Sequence, residues 1–296
     1  MGIAGSLNPE EIIDVARSPR PRVPRRSRPD ARRSHPSELS PPPGGPVVNR
    51  LAGRRVIVTG GGQGLGAAVA RTFAIEDAQV AVLDGCAEAA AQVAEAIGGH
   101  GYVADLSDVG GTREVMNRAI GRLGGLDVLV NNAGVMRFSA LLDMEPAELG
   151  DPFGLGTQAM LVTTQVAALN MIAFRSPSAE CAGKVINIAG VCGTAGGGQA
   201  HYAAAKAAVV ALTRACAHEL GPHGITVNCI CPGYVRDTMD LPGSGPGRAD
   251  PWSALSPLGR LADSDDIARA ALFLASNDSD YLTGDALNVS GGMALH

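Results

Sequence analysis

From residue 50 onward, short apolar runs alternate with longer segments of helical character. A run such as VIV, which ends at the turn-forming TG, is typical of a buried strand. The pattern predicts seven strands, in RRVIVTG, QVAVLD, GYVADLSD, LDVLVNNAG, GKVINIAG, GITVNCICPG and DALNVSGG. Helices are predicted between them, in AAVARTFAIEDA, AEAAAQVAEAI, TREVMNRAIGRLG, AHYAAAKAAVVALTRACAHEL and SDDIARAALFLAS.

Regular alternation of strand and helix favours parallel strands joined by right-handed crossovers. We therefore predict an α/β fold, a single Rossmann-like domain over residues 50–296 whose doubly wound parallel sheet has helices on both faces. The composition suits this fold, because 46% of the residues are hydrophobic, only 3% are aromatic and 39 are glycine. Ligands of such sheets bind beyond the carboxyl ends of the strands.

Two segments interrupt the alternation. The stretch from Glu148 to Phe174 predicts mainly one long helix, but Pro152, Gly154 and Gly156 near its start predict that this helix breaks or begins late. Residues 237–257 are rich in Gly and Pro and follow the end of a strand. They form either a cover over the site, which we favour, or simply a long loop.

The segment before residue 50 has a different character. The first 50 residues hold nine Arg, five acidic residues and ten of the 19 prolines, so residues 1–49 are expected to be a disordered Arg/Pro-rich extension. This arm is interpreted first as a solvated tail or an extension from an upstream start codon. An arm for an anionic partner and an organelle-targeting segment remain the alternatives.

The overall charge of −5 argues against general binding of nucleic acid or a membrane surface. No apolar run has the length of a membrane span, and no signal peptide is evident. The cysteines form no CxxC pair, which favours free thiols in a reducing compartment; we expect a cytoplasmic protein without a metal site. The six cysteines are Cys86, Cys181, Cys192, Cys216, Cys229 and Cys231.

A glycine-rich turn, TGGGQGLG, lies between the first strand and the first helix. Gly60, Gly64 and Gly66 let the backbone approach a pyrophosphate, and the helix N-terminus that follows offers amide donors. Asp84 ends the second strand, where an acid binds the ribose hydroxyls and repels a 2′-phosphate, so NAD(H) is favoured over NADP(H). A flexible turn and a solvent-facing acid are the alternatives. Asp105 either meets the adenine amino group or caps the next helix.

The chain also contains NNAG at Asn131–Gly134, YAAAK at Tyr202–Lys206 and PG at Pro232–Gly233. Together with the glycine-rich turn and Asp105, these motifs occur in the order and spacing of the short-chain dehydrogenase/reductase family. The chain resembles this family over roughly residues 50–293. It looks most similar to the 3-oxoacyl-carrier-protein reductase and hydroxysteroid dehydrogenase branches. The C-terminal stretch from PLGRLAD to NVSGG matches as well, although Ser290 stands where an acid is common.

The resemblance implies hydride transfer between a nicotinamide and a small-molecule secondary alcohol or ketone. Tyr202 would be the general acid or base, and Lys206, one helical turn on, would lower the pKa of Tyr202 and bind the nicotinamide ribose. It also implies a homotetramer or homodimer that packs through the helix Tyr202–Leu220. The implied cofactor-binding residues are Gly60, Gln63, Gly64, Leu65, Gly66, Asp84, Asp105, Leu106, Asn132, Ala133, Gly134, Tyr202, Lys206, Pro232, Gly233 and Val235.

Two polar residues of the family pattern are missing. The serine expected about 13 residues before Tyr202 falls on Ala189 or Gly190, and Thr194 is the nearest hydroxyl along the chain. The asparagine expected in the helix after NNAG falls on Gly156. Three functions therefore stay open: an oxidoreductase, a nucleotide-binding protein with little redox turnover that acts as scaffold, partner subunit or sensor, and a non-redox dehydratase or cyclase.

Overall fold

The computed structural model of the chain describes residues 49–135, 139–150, 153–174, 181–195, 199–236 and 253–294. Almost all of the predicted N-terminal extension, and residues 237–252 of the predicted cover segment, lie outside the described residues. Within the described residues, no helix combines the length and the apolar character needed to cross a membrane.

The described strands form one parallel sheet, which confirms the predicted fold class. In spatial order it reads β3-β2-β1-β4-β5-β6-β7. The chain therefore moves outward from β1 to β3 and then returns to the other side of β1, which opens a crevice at the carboxyl ends of β1 and β4. The strands are β1 Arg55–Thr59, β2 Gln79–Asp84, β3 His100–Val103, β4 Val128–Asn131, β5 Gly183–Ile188, β6 Ile225–Pro232 and β7 Ala286–Val289.

Helices cover both faces of this sheet and form two apolar layers. Phe73 packs with Val58 in one layer, and Met116 packs with Leu129 and Met171 in the other, all fully or almost fully buried. The predicted helices are all present; the helix after β4 begins at Ala159, and the other ends differ by a few residues. Together with the short α5, which was not predicted, they are α1 Gly64–Ile75, α2 Ala87–Ala96, α3 Val109–Leu123, α4 Ala159–Ala173, α5 Cys192–Ala195, α6 Ala200–Leu220 and α7 Ser264–Ala275.

The predicted late start of the helix after β4 is confirmed. Phe153–Gln158 forms a π-helical segment, and regular α-helix begins only at Ala159. Gly154 and Gly156 lie in this segment, where their low helix propensity makes departure from α geometry inexpensive. Since the segment packs against α6, it places Gly156 beside the helix that bears Tyr202 and Lys206.

Two ion pairs near the amino ends of the strands stabilise the sheet away from the crevice. Arg55 Nε lies 2.8 Å from Asp127 Oδ2, and a second hydrogen bond makes the pair bidentate. Burial by itself would raise the pKa of Asp127, but its hydrogen bonds with Arg55 outweigh burial and lower it. Lys184, 1% exposed, lies 2.7 Å from Asp280. One of the chain's two lysines therefore has a structural role.

Candidate active site

The glycine turn between β1 and α1 is tight enough to exclude side chains. Gly60 has a φ of +60°, and a Cβ there would lie 2.9 Å from Ala133 Cα. A Cβ on Gly66 would overlap the carbonyl oxygen of Gly60, and Gly64 has a φ of +52°. These positions therefore require glycine, as the sequence predicted. The close approach also joins the turn to the segment that follows β4.

Asn132 and Thr59 fix that junction through hydrogen bonds. Asn132 Nδ2 donates to the carbonyl oxygens of Gly60 and Thr59 at 2.9 and 3.2 Å. The Thr59 hydroxyl accepts the amide hydrogens of Asn132 and Ala133 at 3.1 and 3.2 Å. Thr59 is a site residue that the sequence reasoning missed. Its only signal was its place directly before Gly60, at the end of β1.

The start of α1 suits an anionic ligand. Gln63 occupies the N-cap position but makes no capping hydrogen bond through its side chain, and no acidic residue lies in the first turn, which includes Leu65. The first amides of a helix need acceptors, and the helix dipole favours negative charge there. Together with the glycine turn, this end of α1 fits the pyrophosphate of a dinucleotide.

Asp84, at the end of β2, lies against the same turn. Its Oδ2 accepts the Gly62 amide hydrogen at 2.9 Å, and its Oδ1 accepts that of Cys86 at 3.0 Å. A Cβ on Gly62 would lie 2.8 Å from Ala89 Cβ and 2.9 Å from Asp84 Cγ, so glycine is required here too. Each carboxylate oxygen still has lone pairs for the ribose hydroxyls.

Asp105 and Leu106 follow β3. Asp105 is exposed and accepts hydrogen bonds from the hydroxyl and amide of Ser107, which lower its pKa. The residue that caps α3 is Asp108, which accepts from the Gly110 amide. The alternative of Asp105 as a helix cap is therefore wrong. Leu106 is buried and lines a small cavity together with Thr59, Asn131, Ala133 and Gly156.

A buried polar network ties α6 to the sheet. Asn131 bonds to Asn187 at 3.0 Å and to the hydroxyls of Thr163 and Thr164, at 2.7 and 3.1 Å. Asn187 in turn donates to the Thr213 hydroxyl on α6 at 2.9 Å. Because every member is buried and bonded, the network fixes the position of α6 relative to β4 and β5.

Tyr202 and Lys206 lie together at this end of α6. Lys206 Nζ is 5.5 Å from the centre of the Tyr202 ring and donates to the Ile188 carbonyl oxygen at 2.8 Å. A Cβ on Gly134 would lie 3.8 Å from Lys206 Nζ, so the NNAG segment faces the lysine. A pocket beside the pair is lined by Gly134, Val135, Gly156, Tyr202, Ala205, Lys206 and Val209.

The acidities in this pocket differ from the expectation that Lys206 lowers the pKa of Tyr202. Burial raises the pKa of Tyr202, and the nearby Cys192 adds to the rise. Burial also lowers the pKa of Lys206 to about 8. The ammonium group of Lys206 lies over the Tyr202 ring and donates to a backbone carbonyl. Without bound nucleotide, Tyr202 is a protonated phenol at neutral pH.

The missing polar residues leave two different surroundings. At Gly156 an added Cβ would meet nothing within 4 Å. At Gly190 it would lie 3.4 Å from Cys192 Sγ and 3.8 Å from Lys206 Cγ. The Thr194 hydroxyl bonds to the Val191 carbonyl oxygen at 3.1 Å, so its hydrogen is directed to the backbone. Cys192, which the sequence analysis grouped only with the free thiols, therefore lies beside Gly190.

The segment after β6 completes the described part of the site. The Pro232 carbonyl accepts from the Val191 amide at 3.0 Å, which places PG beside the turn after β5. Gly233 donates to Val289, and a Cβ on it would lie 3.0 Å from Met293 Sδ. Val235 is fully buried. The structure therefore gathers the predicted cofactor residues along the carboxyl ends of the strands.

The chain is similar to known proteins along most of its length. A family model described as Enoyl-(Acyl carrier protein) reductase matches residues 60–294. The 3-oxoacyl-[acyl-carrier-protein] reductase of Escherichia coli K12 is 34% identical, over 82% of this chain and 98% of the relative. A (2S)-[(R)-hydroxy(phenyl)methyl]succinyl-CoA dehydrogenase subunit of Thauera aromatica is also 34% identical, over 84% and 98%. A solved short-chain type dehydrogenase/reductase from Mycobacterium marinum matches with a TM-score of 0.73 at 32% identity, over 84% and 98% of the two chains.

Proposed function

The chain belongs to the short-chain dehydrogenase/reductase family, a family of NAD(P)-dependent oxidoreductases, and on this premise we propose that it interconverts a secondary alcohol and a ketone. The observation that supports this most directly is the position of Tyr202 and Lys206 in one pocket, opposite Gly134. The glycine turn and the uncapped start of α1 supply the matching cofactor site.

When bound, the nicotinamide nucleotide supplies or accepts the hydride. In the direction of ketone reduction, Tyr202 donates its phenolic proton to the substrate oxygen as negative charge develops there. Tyr202 holds this proton at neutral pH, because burial raises its pKa. Lys206 lies in the same pocket and faces Gly134, where its ammonium group would bind the nicotinamide ribose.

We propose a preference for NAD(H) over NADP(H). Asp84 lies against the glycine turn, and its carboxylate would repel a 2′-phosphate. No Lys or Arg that would bind such a phosphate lies in the turn from Gly60 to Gly66 or in the stretch from Asp84 to Ala87. Tighter binding of NADPH than of NADH would contradict the role given to Asp84.

The test is consumption of NADH in the presence of a panel of ketones that includes 3-oxoacyl thioesters, since a relative is named for that substrate class. Binding of NADH is first confirmed by its fluorescence. We expect turnover in wild type and its loss in Tyr202→Phe, with unchanged NADH binding because phenylalanine keeps the ring. Confirmed nucleotide binding without turnover on any ketone or alcohol would refute the proposal.

A second candidate is a nucleotide-binding protein with little redox turnover. It is favoured by the absence of polar side chains at Ala189, Gly190 and Gly156, which removes donors that stabilise a developing oxyanion. Loss of one such donor lowers a rate by about 10²–10³-fold. The same assay separates the two candidates, since robust turnover that depends on Tyr202 excludes this one.

We further propose that copies of the chain associate as a homotetramer or homodimer through α6. Alanines at positions 204, 207 and 211 line an exposed stripe of this helix, and small side chains allow close helix packing. Light scattering measures the assembly mass, and a monomer would contradict this proposal.

A further inference from the structure

The turn after β5 places a thiol at the edge of the candidate active site. Cys192 begins α5, and its Sγ would lie 3.4 Å from a Cβ on Gly190. The Lys206 side chain approaches the same point, with its Cγ at 3.8 Å. The sulfur of Cys192 therefore lies in van der Waals contact with the place where a side chain of residue 190 would begin, next to the stem of the lysine.

Cys192 is half-buried, and burial raises the pKa of its thiol although Lys206 acts to lower it. The thiol therefore keeps its proton at neutral pH and can donate a hydrogen bond. Cys192 acts to raise the pKa of both Tyr202 and Lys206, so the three groups lie near one another. Protonation also makes Cys192 a poor nucleophile, since the thiolate is the reactive form.

The neighbouring Cys231 does not qualify for the same role. It is fully buried in β6. Cys229 lies two residues away on the same face of the strand and is also fully buried. Among these three thiols, only Cys192 is partly accessible.

We propose that Cys192 is a catalytic residue whose S–H donates the second hydrogen bond to the substrate oxygen, beside the hydroxyl of Tyr202. This inference rests on the proposed function. During reduction Tyr202 transfers its proton to the oxygen, while Cys192 keeps its own proton and only stabilises the developing charge. Because a thiol is a weak donor, it replaces part of what a hydroxyl at residue 190 would contribute.

Single variants test the donor. The assay follows NADH consumption with acetoacetyl-coenzyme A and with ethyl acetoacetate. We expect Cys192→Ala to lower kcat about tenfold and Cys192→Ser to keep or exceed wild-type kcat, since a hydroxyl is the stronger donor. Cys216→Ala is the matched control, because Cys216 is another half-buried thiol and lies on the far part of α6. Equal kcat in wild type and Cys192→Ala would overturn the inference and leave the proposed function intact.

A hydroxyl at residue 190 gives an independent test. Gly190 has ordinary backbone geometry, and a Cβ there meets its neighbours at normal contact distances, so serine fits. We expect Gly190→Ser to restore kcat in the Cys192→Ala background. A structural role for Cys192 predicts no such rescue, so absence of rescue counts against the inference.

If wild type has no measurable turnover, the proposed function is refuted, and a labelling measurement then tests the position of Cys192 separately. Methyl methanethiosulfonate modifies thiols, and mass spectrometry reads each site. With NADH present throughout, added ethyl acetoacetate should slow modification of Cys192 about tenfold and leave Cys216 unaffected. Absence of protection would overturn the placement of Cys192 at the substrate oxygen.

Discussion

Replacement of Lys206 by methionine tests whether the ammonium group is buried in the folded protein. Lys206 is 7% exposed, and burial lowers its pKa from 10.5 to about 8. Between these values the unfolded chain binds more protons than the folded protein. The stability of wild type therefore rises as the pH increases through this window. Methionine has a similar length and no proton to bind, so the variant lacks this pH dependence.

The size of the effect follows from the displaced pKa. The lowered pKa of Lys206 destabilises folded wild type by roughly 3 kcal/mol at pH values at which Lys206 is charged. The variant loses the hydrogen bond from Lys206 Nζ to Ile188, which costs about 1 kcal/mol. We therefore expect Lys206→Met to be about 2 kcal/mol more stable than wild type near pH 7. This advantage should disappear near pH 10, where Lys206 is neutral in the folded protein.

Urea unfolding without nucleotide, followed by circular dichroism at several pH values, measures this difference. The control is Lys184→Met at the chain's other lysine. Lys184 is paired with Asp280, so its loss should destabilise the protein at both pH values. A stability difference between Lys206→Met and wild type that does not change with pH would refute the burial argument. Turnover should be lost in Lys206→Met, so stability and function oppose each other at this residue.

Two further predictions concern the cofactor site. Gly66→Ala should weaken NADH binding by at least about tenfold, because its Cβ overlaps the Gly60 carbonyl; NADH fluorescence measures the affinity. The control is Gly121→Ala, because a Cβ on Gly121 meets nothing within 4 Å. Equal NADH affinities of the two variants would contradict the tight turn. Asp84→Asn should reduce the preference for NADH over NADPH about tenfold, measured as the ratio of the two dissociation constants, because it removes the repelling charge. An unchanged ratio would exclude Asp84 as its determinant.

The fold was predictable because its central strands are buried on both faces and therefore appear as continuous apolar runs. β6 is an example, since all of its residues from Ile225 to Pro232 are buried. The junction of the glycine turn with NNAG followed from the rule that carboxyl ends of parallel strands lie together. Asn132 and Ala133 meet Gly60 there.

Other features depend on contacts that no local pattern encodes. The π-helical segment Phe153–Gln158 arises where a glycine-containing stretch packs against α6, and the sequence indicated only that regular helix would begin late. The direction of the Tyr202 pKa shift depends on burial and on the nearby Cys192. The role of Cys192 depends on the turn that brings its sulfur to Gly190. Each of these depends on tertiary packing.

The two glycines that replace expected polar residues have different consequences for engineering. At Gly190 an added side chain would begin in contact with Cys192 and Lys206. At Gly156 an added side chain meets open space, and the residue lines both the pocket beside Tyr202 and the cavity beneath Leu106.

An amide at residue 156 would therefore extend into this open space and add donors and an acceptor close to Lys206, where it can hold a water for proton exchange. We expect Gly156→Asn to raise kcat for ketone reduction about tenfold, whereas Gly154→Asn should not. Gly154 is the matched control, because it lies in the same π-helical segment, has equal space for a Cβ and lines neither cavity. An equal response of the two variants would show that helix propensity, rather than a restored polar group, controls turnover. A fall in kcat in Gly156→Asn alone would show that the substrate itself uses the space that glycine leaves.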